Sequence, residues 1–318
     1  MPAPIRRTDE LGFHVPATFA EAPEAGSAVG RAVRRWLWRW RWVLLVLLLP
    51  LLFYDKLLAI GGHWIAERML RQAEVNYVAD DLPSALADLD RAIYWEPEPL
   101  ERCQAYLFRG QVHEKMRSLE KSEADFGAVI ELLSDPGRVR EEALDLGTVY
   151  DQRAWIRQRL GRHREALDDA TTALKFVDST QRPQALNQRA YIRALAGMEL
   201  EQGLEDIEQA LAAAHHDDPE FIDTRGYLRL RLGKFQDALS DFDNAILGWE
   251  QSRPRLGGDG TELDRWVYVQ RLRDYTRNLA VMRHHRGEAY EKLGKSKEAK
   301  QDFEWAEQHG YNPADGNM

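Results

Sequence analysis

Histidine, cysteine and carboxylate side chains are where chemistry would start, and none of them is spaced for it. The richest metal-ligand stretches are His215-His216-Asp217-Asp218 and His284-His285. Neighbouring residues on a helix face apart, and neither stretch has the gap that lets two imidazoles share an ion, so no metal is expected. Gly257-Gly258-Asp259-Gly260 lacks the Lys-Ser/Thr that completes a phosphate loop, and reads as a surface turn. No Gly-x-Ser-x-Gly elbow is present, and the single Cys103 falls where it would pack as a small apolar residue. Carboxylates abound, yet no pair is singled out for acid–base work. The residues therefore point away from an enzyme: no catalytic group and no cofactor is expected.

What recurs is a pattern suited to recognition. Asp151-Gln-Arg-Ala-Trp-Ile-Arg157, Asn187-Gln-Arg-Ala-Tyr-Ile-Arg193 and Asp223-Thr-Arg-Gly-Tyr-Leu-Arg229 follow one another at a spacing of 36 residues. On a helix Asp151 and Trp155, Asn187 and Tyr191, and Asp223 and Tyr227 each share a face. Aromatic rings beside oriented polar groups are good anchors for an extended peptide, and they also suit packing between stacked units. Arg157, Arg193 and Arg229 form a stripe that fits acidic partner groups or nearby Glu and Asp equally well. A second series, Arg109, Arg153, Arg189, Arg225 and Arg286, is matched by Asp88, Asp125, Asp169, Asp206, Asp241 and Asp302 further along each unit. These are expected to form partly buried ion pairs, which set geometry more than they add stability.

The elements that must position these residues are helix pairs. Each copy is followed by a second helical segment: Glu165–Leu174, Gln202–Leu211 and Asp237–Ile246, with weaker copies at Ser84–Ile93, Lys121–Ile130 and Glu298–Glu307. Small residues recur where two helices must approach, at Ala73, Gly110, Ala154, Ala190, Gly226 and Gly287 on the first and Ala85, Ser122, Ala166, Gly203, Ala238 and Ala299 on the second. Large residues such as Phe126, Ile207, Phe242 and Phe303 alternate with them, as close packing requires. Self-similarity at a period of this length signals stacked supersecondary units.

These residues resemble the tetratricopeptide repeat family. The fifth unit fits best, through Ile222, Gly226, Phe235, Ala238, Phe242 and Ala245, and the sixth supplies Gly287, Tyr290, Ala299, Phe303, Ala306 and Pro313. The resemblance covers roughly residues 66–313 and implies an all-α, right-handed superhelical solenoid of about six pairs, at 66–98, 103–136, 147–180, 183–216, 219–250 and 280–313. It also implies that Asp151, Trp155, Asn187, Tyr191, Asp223 and Tyr227 line a concave groove that takes a protein or peptide. Arg stands where the family has Leu, at 109, 153, 189, 225 and 286. The Lys/Asn set of the family's carboxylate clamp is missing, so binding of chaperone carboxyl termini is not implied. Residues 251–279 read as an insertion between the fifth and sixth units, opened by a Gly/Pro-marked loop.

Charge is divided along the chain. Residues 1–62 hold eight Lys/Arg and five Asp/Glu, a net of +3, so the remainder, at 35 against 47, carries −12. An acidic body argues against nucleic acid. Residues 1–35 read as a disordered arm. Residues 36–62 combine four tryptophans interleaved with Arg and the apolar run Trp42–Tyr54, and extended to Gly62 they reach the roughly 20 residues of a membrane span. A single transmembrane signal anchor accounts best for the Arg cluster. It would leave the amino terminus in the cytoplasm and the array (63–313) outside it, as in a periplasm. A cleaved signal ending at Ala59-Ile-Gly61 and a buried helix in a cytoplasmic protein are the other readings. The expected function is a membrane-tethered adaptor for a protein or peptide partner. The alternative is a structural subunit of an envelope assembly, using the outer face and the 251–279 segment.

Overall fold

A computed structural model describes residues 54–96, 98–134, 145–214, 218–257 and 261–312. The arm at 1–35 and residues 36–53 of the anchor reading lie outside them. The chain divides into compact units at 1–62 and 63–318. Among the described residues, no helix is long and apolar enough to cross a membrane.

The described residues form twelve helices: α1 (Tyr54–Val78), α2 (Leu82–Trp95), α3 (Pro99–Lys115), α4 (Leu119–Leu133), α5 (Leu146–Arg159), α6 (His163–Ala173), α7 (Arg182–Ala196), α8 (Leu200–Ala213), α9 (Pro219–Arg231), α10 (Phe235–Gln251), α11 (Glu262–Lys292) and α12 (Ser296–Gln308). Three-residue turns join them into pairs, α1 with α2 through α11 with α12. Each turn needs one residue with positive φ, and Gly161, Gly233 and Gly294 supply it after α5, α9 and α11. Buried clusters follow one another along the stack: Ala73, Leu89 and Val112 bind the first pair to the second, and Tyr191, Ile207, Leu228 and Phe242 join the fourth to the fifth.

Glycine sets how closely the helices of a pair approach. A Cβ on Gly226 would lie 2.8 Å from the Phe242 ring, and one on Gly287 2.7 Å from Phe303. Phe242 is wholly buried and has no room to withdraw. Gly226→Ala gains about 1 kcal/mol of helix propensity and loses about 1–3 kcal/mol to overpacking. The expected outcome is a lowered urea midpoint with unchanged helicity. A midpoint that rises would show that the rings yield.

The segment at 251–279 is largely helical. Thr261 and Asp264 cap α11 reciprocally, with the Asp264 N–H donating to Thr261 Oγ1 at 3.1 Å and the Thr261 N–H donating to Asp264 Oδ2 at 3.0 Å. From there α11 runs for 31 residues, about 46 Å, straight into the first helix of the sixth pair. Trp249 Nε1 donates to the Tyr275 carbonyl at 3.0 Å and ties the middle of α11 to α10.

Candidate functional site

The second helix of each pair carries an aspartate at the pair's seam, and in the second to sixth pairs the first helix brings one or two guanidinium groups to it. Arg109 Nε donates to Asp125 at 2.9 Å, Arg153 to Asp169 at 2.8 Å, Arg189 to Asp206 at 2.7 Å, Arg225 to Asp241 at 3.2 Å and Arg286 to Asp302 at 2.7 Å. In each case a second nitrogen of the same fork reaches the other carboxylate oxygen. One helical turn later, Arg157, Arg193 and Arg229 come to the same acids: Arg157 Nη1 reaches Asp169 at 2.8 Å, Arg229 Nη1 reaches Asp241 at 2.6 Å, and Arg193 bonds Asp206. Each of these three aspartates thus gathers two guanidinium groups. In the first pair Asn76 takes the place of that second arginine on Asp88.

Several of the same arginines also reach back to the preceding pair. Arg109 bonds Asp90 at 2.6 Å, Arg157 bonds Glu123 at 2.9 Å and Arg286 bonds Asp243 at 2.9 Å. The series therefore fixes register both within and between pairs. The stripe formed by Arg157, Arg193 and Arg229 is engaged inside the array rather than presented to a partner.

The polar–aromatic ladder is internal as well. Asn187, Tyr191, Asp223 and Tyr227 are buried, and Trp155 is partly so. Trp155 stacks on Tyr191 at 6.4 Å, Tyr191 meets Tyr227 at 6.0 Å, and Tyr227 stacks on His285 of α11 at 4.3 Å. Four-residue spacing puts these side chains on one helix face, but that face meets the adjoining pairs. His285, read from sequence only as an unsuitable metal ligand, forms the last rung and pairs through Nδ1 with Asp223 at 2.9 Å. Burial pulls its imidazole down, yet Asp223 and Glu288 more than offset this, so its pKa is raised. Asp151 has no such partner. Burial, with Asp145 nearby, pushes its carboxyl up to about 7, and its Oδ1 has no hydrogen bond. No group of three His, Cys, Asp or Glu among the described residues could hold a metal.

Open space lies elsewhere. A cavity of about 1030 Å³ is bordered by the ends of α1 and α3, by Arg159 at the end of α5, and by Trp266, Arg273 and Arg277 of α11. Lys115 lies over the Tyr77 ring at 4.5 Å and pairs with Asp80 at 2.7 Å. Arg159 pairs with Glu114 at 3.0 Å. None of these residues was picked out from sequence. The signals available were Asp80 and Arg117, at turn positions where later pairs have glycine, and the basic residue that recurs at one repeat position in Lys115, Arg159, Arg231 and Lys292.

The tetratricopeptide repeat pattern matches residues 280–306, the seam of the sixth pair. No curated protein is close enough in sequence to count as a relative. Among solved structures, aspartyl phosphate phosphatase F from Bacillus subtilis is 14% identical with a TM-score of 0.54, over 84% of this chain and 76% of that one. PilW, a type IV pilus biogenesis factor, is 15% identical with a TM-score of 0.51, over 75% and 90%. A tetratricopeptide repeat protein from Parabacteroides merdae is 18% identical with a TM-score of 0.50, over 78% and 94%. At these identities the likeness is one of fold. Residues 280–306 match one tetratricopeptide repeat, and the stack of helix pairs around them is similar in fold to these proteins.

Proposed function

We propose that the protein is an adaptor that holds an extended segment of a protein partner in the cavity between its first three pairs and α11, tethered to a membrane by residues 36–62. The observation that carries this reading is the cavity itself. About 1030 Å³ is open to side chains of α1, α3, α5 and α11, whereas the repeated Arg, Asp and aromatic series is engaged within the stack. A long, open, mixed polar and apolar surface suits a peptide better than an enclosed small molecule. Trp266 and Val78, 47% and 63% exposed, offer apolar anchors there. The tether rests on the sequence of residues 36–62, with its Arg–Trp flank and leucine run. Holding the array at a membrane raises the local concentration of whatever it recruits.

Photo-crosslinking in intact cells tests both parts. A benzophenone side chain is placed at Trp266 in the cavity and, in a separate variant, at Leu247, which is 57% exposed on α10 outside it. Adducts at 266 and not at 247, with protein partners of the cell envelope, are the expected result. Adducts only at 247 would favour the structural-subunit alternative. Cytoplasmic partners at 266 would keep the groove and overturn the assigned orientation.

A further inference from the structure

Two of the three turns that hold a non-glycine residue at positive φ border the cavity. Four of the six pairs place glycine at the positive-φ position of the turn, with φ of 73°, 64°, 77° and 72° at Gly161, Gly197, Gly233 and Gly294. The first two pairs place Asp80 and Arg117 there instead, at φ 62° and 60°. Left-handed backbone disfavours residues with a Cβ, so each of these turns is less stable than glycine would make it. Of the six turn residues, Asp80 and Arg117 are the two that border the cavity. The fourth turn keeps Glu199 at φ 49° beside its glycine and away from the cavity, so positive φ alone does not mark the cavity, and the side chains placed there do. Asp80 holds Lys115 in position, and Arg117 adds a second cation.

The charge around the cavity points to its occupant. Lys115, Arg117, Arg159, Arg273 and Arg277 face it against two carboxylates, Asp80 and Glu114, an excess of three positive charges. Residues 63–318 as a whole carry −12, from 35 Lys/Arg against 47 Asp/Glu. The cavity is thus a basic recess in an acidic body. Arg159 is its deepest cation, with a side chain only 12% exposed and an Nε–H that has no hydrogen-bond partner. Arg159 pairs with Glu114 at 3.0 Å through Nη1, which leaves the Nε–H side of its guanidinium for a second carboxylate. A long polyanion such as nucleic acid would meet the repelling acidic surface beyond the recess.

We infer that this cavity selects an acidic extended segment of a protein partner, with Arg159 and Arg117 as its carboxylate-binding residues. The inference rests on the cavity being the binding site, as proposed above. Full-length protein is titrated, with anisotropy as readout, against labelled Glu–Tyr, Gln–Tyr and Lys–Tyr repeat peptides of equal length and against oligo-dT. The Glu–Tyr peptide should bind about 10-fold tighter than Gln–Tyr, and the advantage should shrink with added salt. Arg159→Gln and Arg117→Gly should each remove most of that advantage, and Arg117→Gly should at the same time raise the melting temperature. A purely structural arginine would not combine greater stability with weaker binding. Equal binding of Gln–Tyr and Glu–Tyr would overturn charge selection and leave the groove reading standing. Oligo-dT bound as tightly as Glu–Tyr would overturn the assignment to a protein segment. Failure to retain any peptide would overturn the groove reading together with this one.

Discussion

Asp241→Ala should lower the stability of the array by about 3–5 kcal/mol, the range for removing one partner of a buried ion pair. Asp241 is buried and accepts from three nitrogens on two arginines: Nε and Nη2 of Arg225, and Nη1 of Arg229. Removing the carboxylate leaves two positive charges side by side at the seam of the fifth pair. Both keep Glu208 of the preceding pair, at 3.6 Å and 3.8 Å, but that carboxylate is 54% exposed and offsets little of the loss. The comparison is Asp90→Ala. Asp90 bonds Arg109 at 2.6 Å but is 63% exposed, and Arg109 keeps Asp125. Its loss should cost no more than about 1 kcal/mol. Replacing Asp241 by Leu together with Arg225 and Arg229 by Met should recover much of the loss, since an apolar set of similar size carries no desolvation penalty. Urea midpoints for the variants decide the matter. A loss below about 1 kcal/mol for Asp241→Ala, the range of a surface pair, would mean that water reaches the pair.

The three double-arginine aspartates also explain why arginine stands where the resembled family has leucine. A leucine at 153, 189 or 225 would pack one helix on the next but would not select which turn it meets. A forked guanidinium bonded to an aspartate at both oxygens does select, because a shift of one residue breaks both bonds. Specificity of register, rather than net stability, is the gain expected from a partly buried ion pair. An array whose small residues recur at similar positions in all six pairs has many near-equivalent ways to stack. The arginine bonds back to Asp90, Glu123 and Asp243 of the preceding pairs exclude those alternatives.

The helix pairs were legible because their cause repeats. A small residue opposite a large one, as at Gly226 and Phe242, appears again wherever two helices meet. The arginine and aspartate series is visible for the same reason. The ladder of Trp155, Tyr191 and Tyr227 was equally visible, but its environment was not. A four-residue spacing specifies a helix face without specifying what that face meets. His285 closes the stack from α11, 94 residues beyond Tyr191. The cavity was illegible for a different reason. Lys115 and Arg159 stand at one repeat position, six residues after Arg109 and Arg153, which Arg231 and Lys292 also occupy, so that position does not single out the helix ends that face Trp266 and Arg273 of α11. A cation that recurs at helix ends does not show which of those ends are brought together. The exception is backbone geometry, since a charged residue in a turn that elsewhere takes glycine can be seen in the alignment of the chain with itself.

Asp151→Asn should stabilise the protein most at pH 8, by a smaller margin at pH 5, and leave it unchanged only below pH 3.8. The carboxyl of Asp151 is largely buried, has Asp145 as its charged neighbour and lacks a hydrogen bond at Oδ1, which together bring it to about 7 from an ordinary 3.8. Between those two values the folded chain holds a proton that the unfolded chain has released. Stability therefore falls as pH rises through this window, and the whole cost is present above the folded value. Asparagine resembles the protonated acid and avoids the cost, as Asn187 does at the same position of the next pair. The full shift would correspond to about 4 kcal/mol, and partial hydration of the carboxylate with imperfect pairing of the new amide reduces this to about 1–3 kcal/mol. His285 titrates in the same direction, since its raised pKa gives stability that is complete below pH 6.5 and is lost as pH rises through the folded value. Comparing variant with parent at each pH removes that shared contribution. If the two urea midpoints separate equally at pH 5 and pH 8, the asparagine acts through packing, and Asp151 is not the group that titrates.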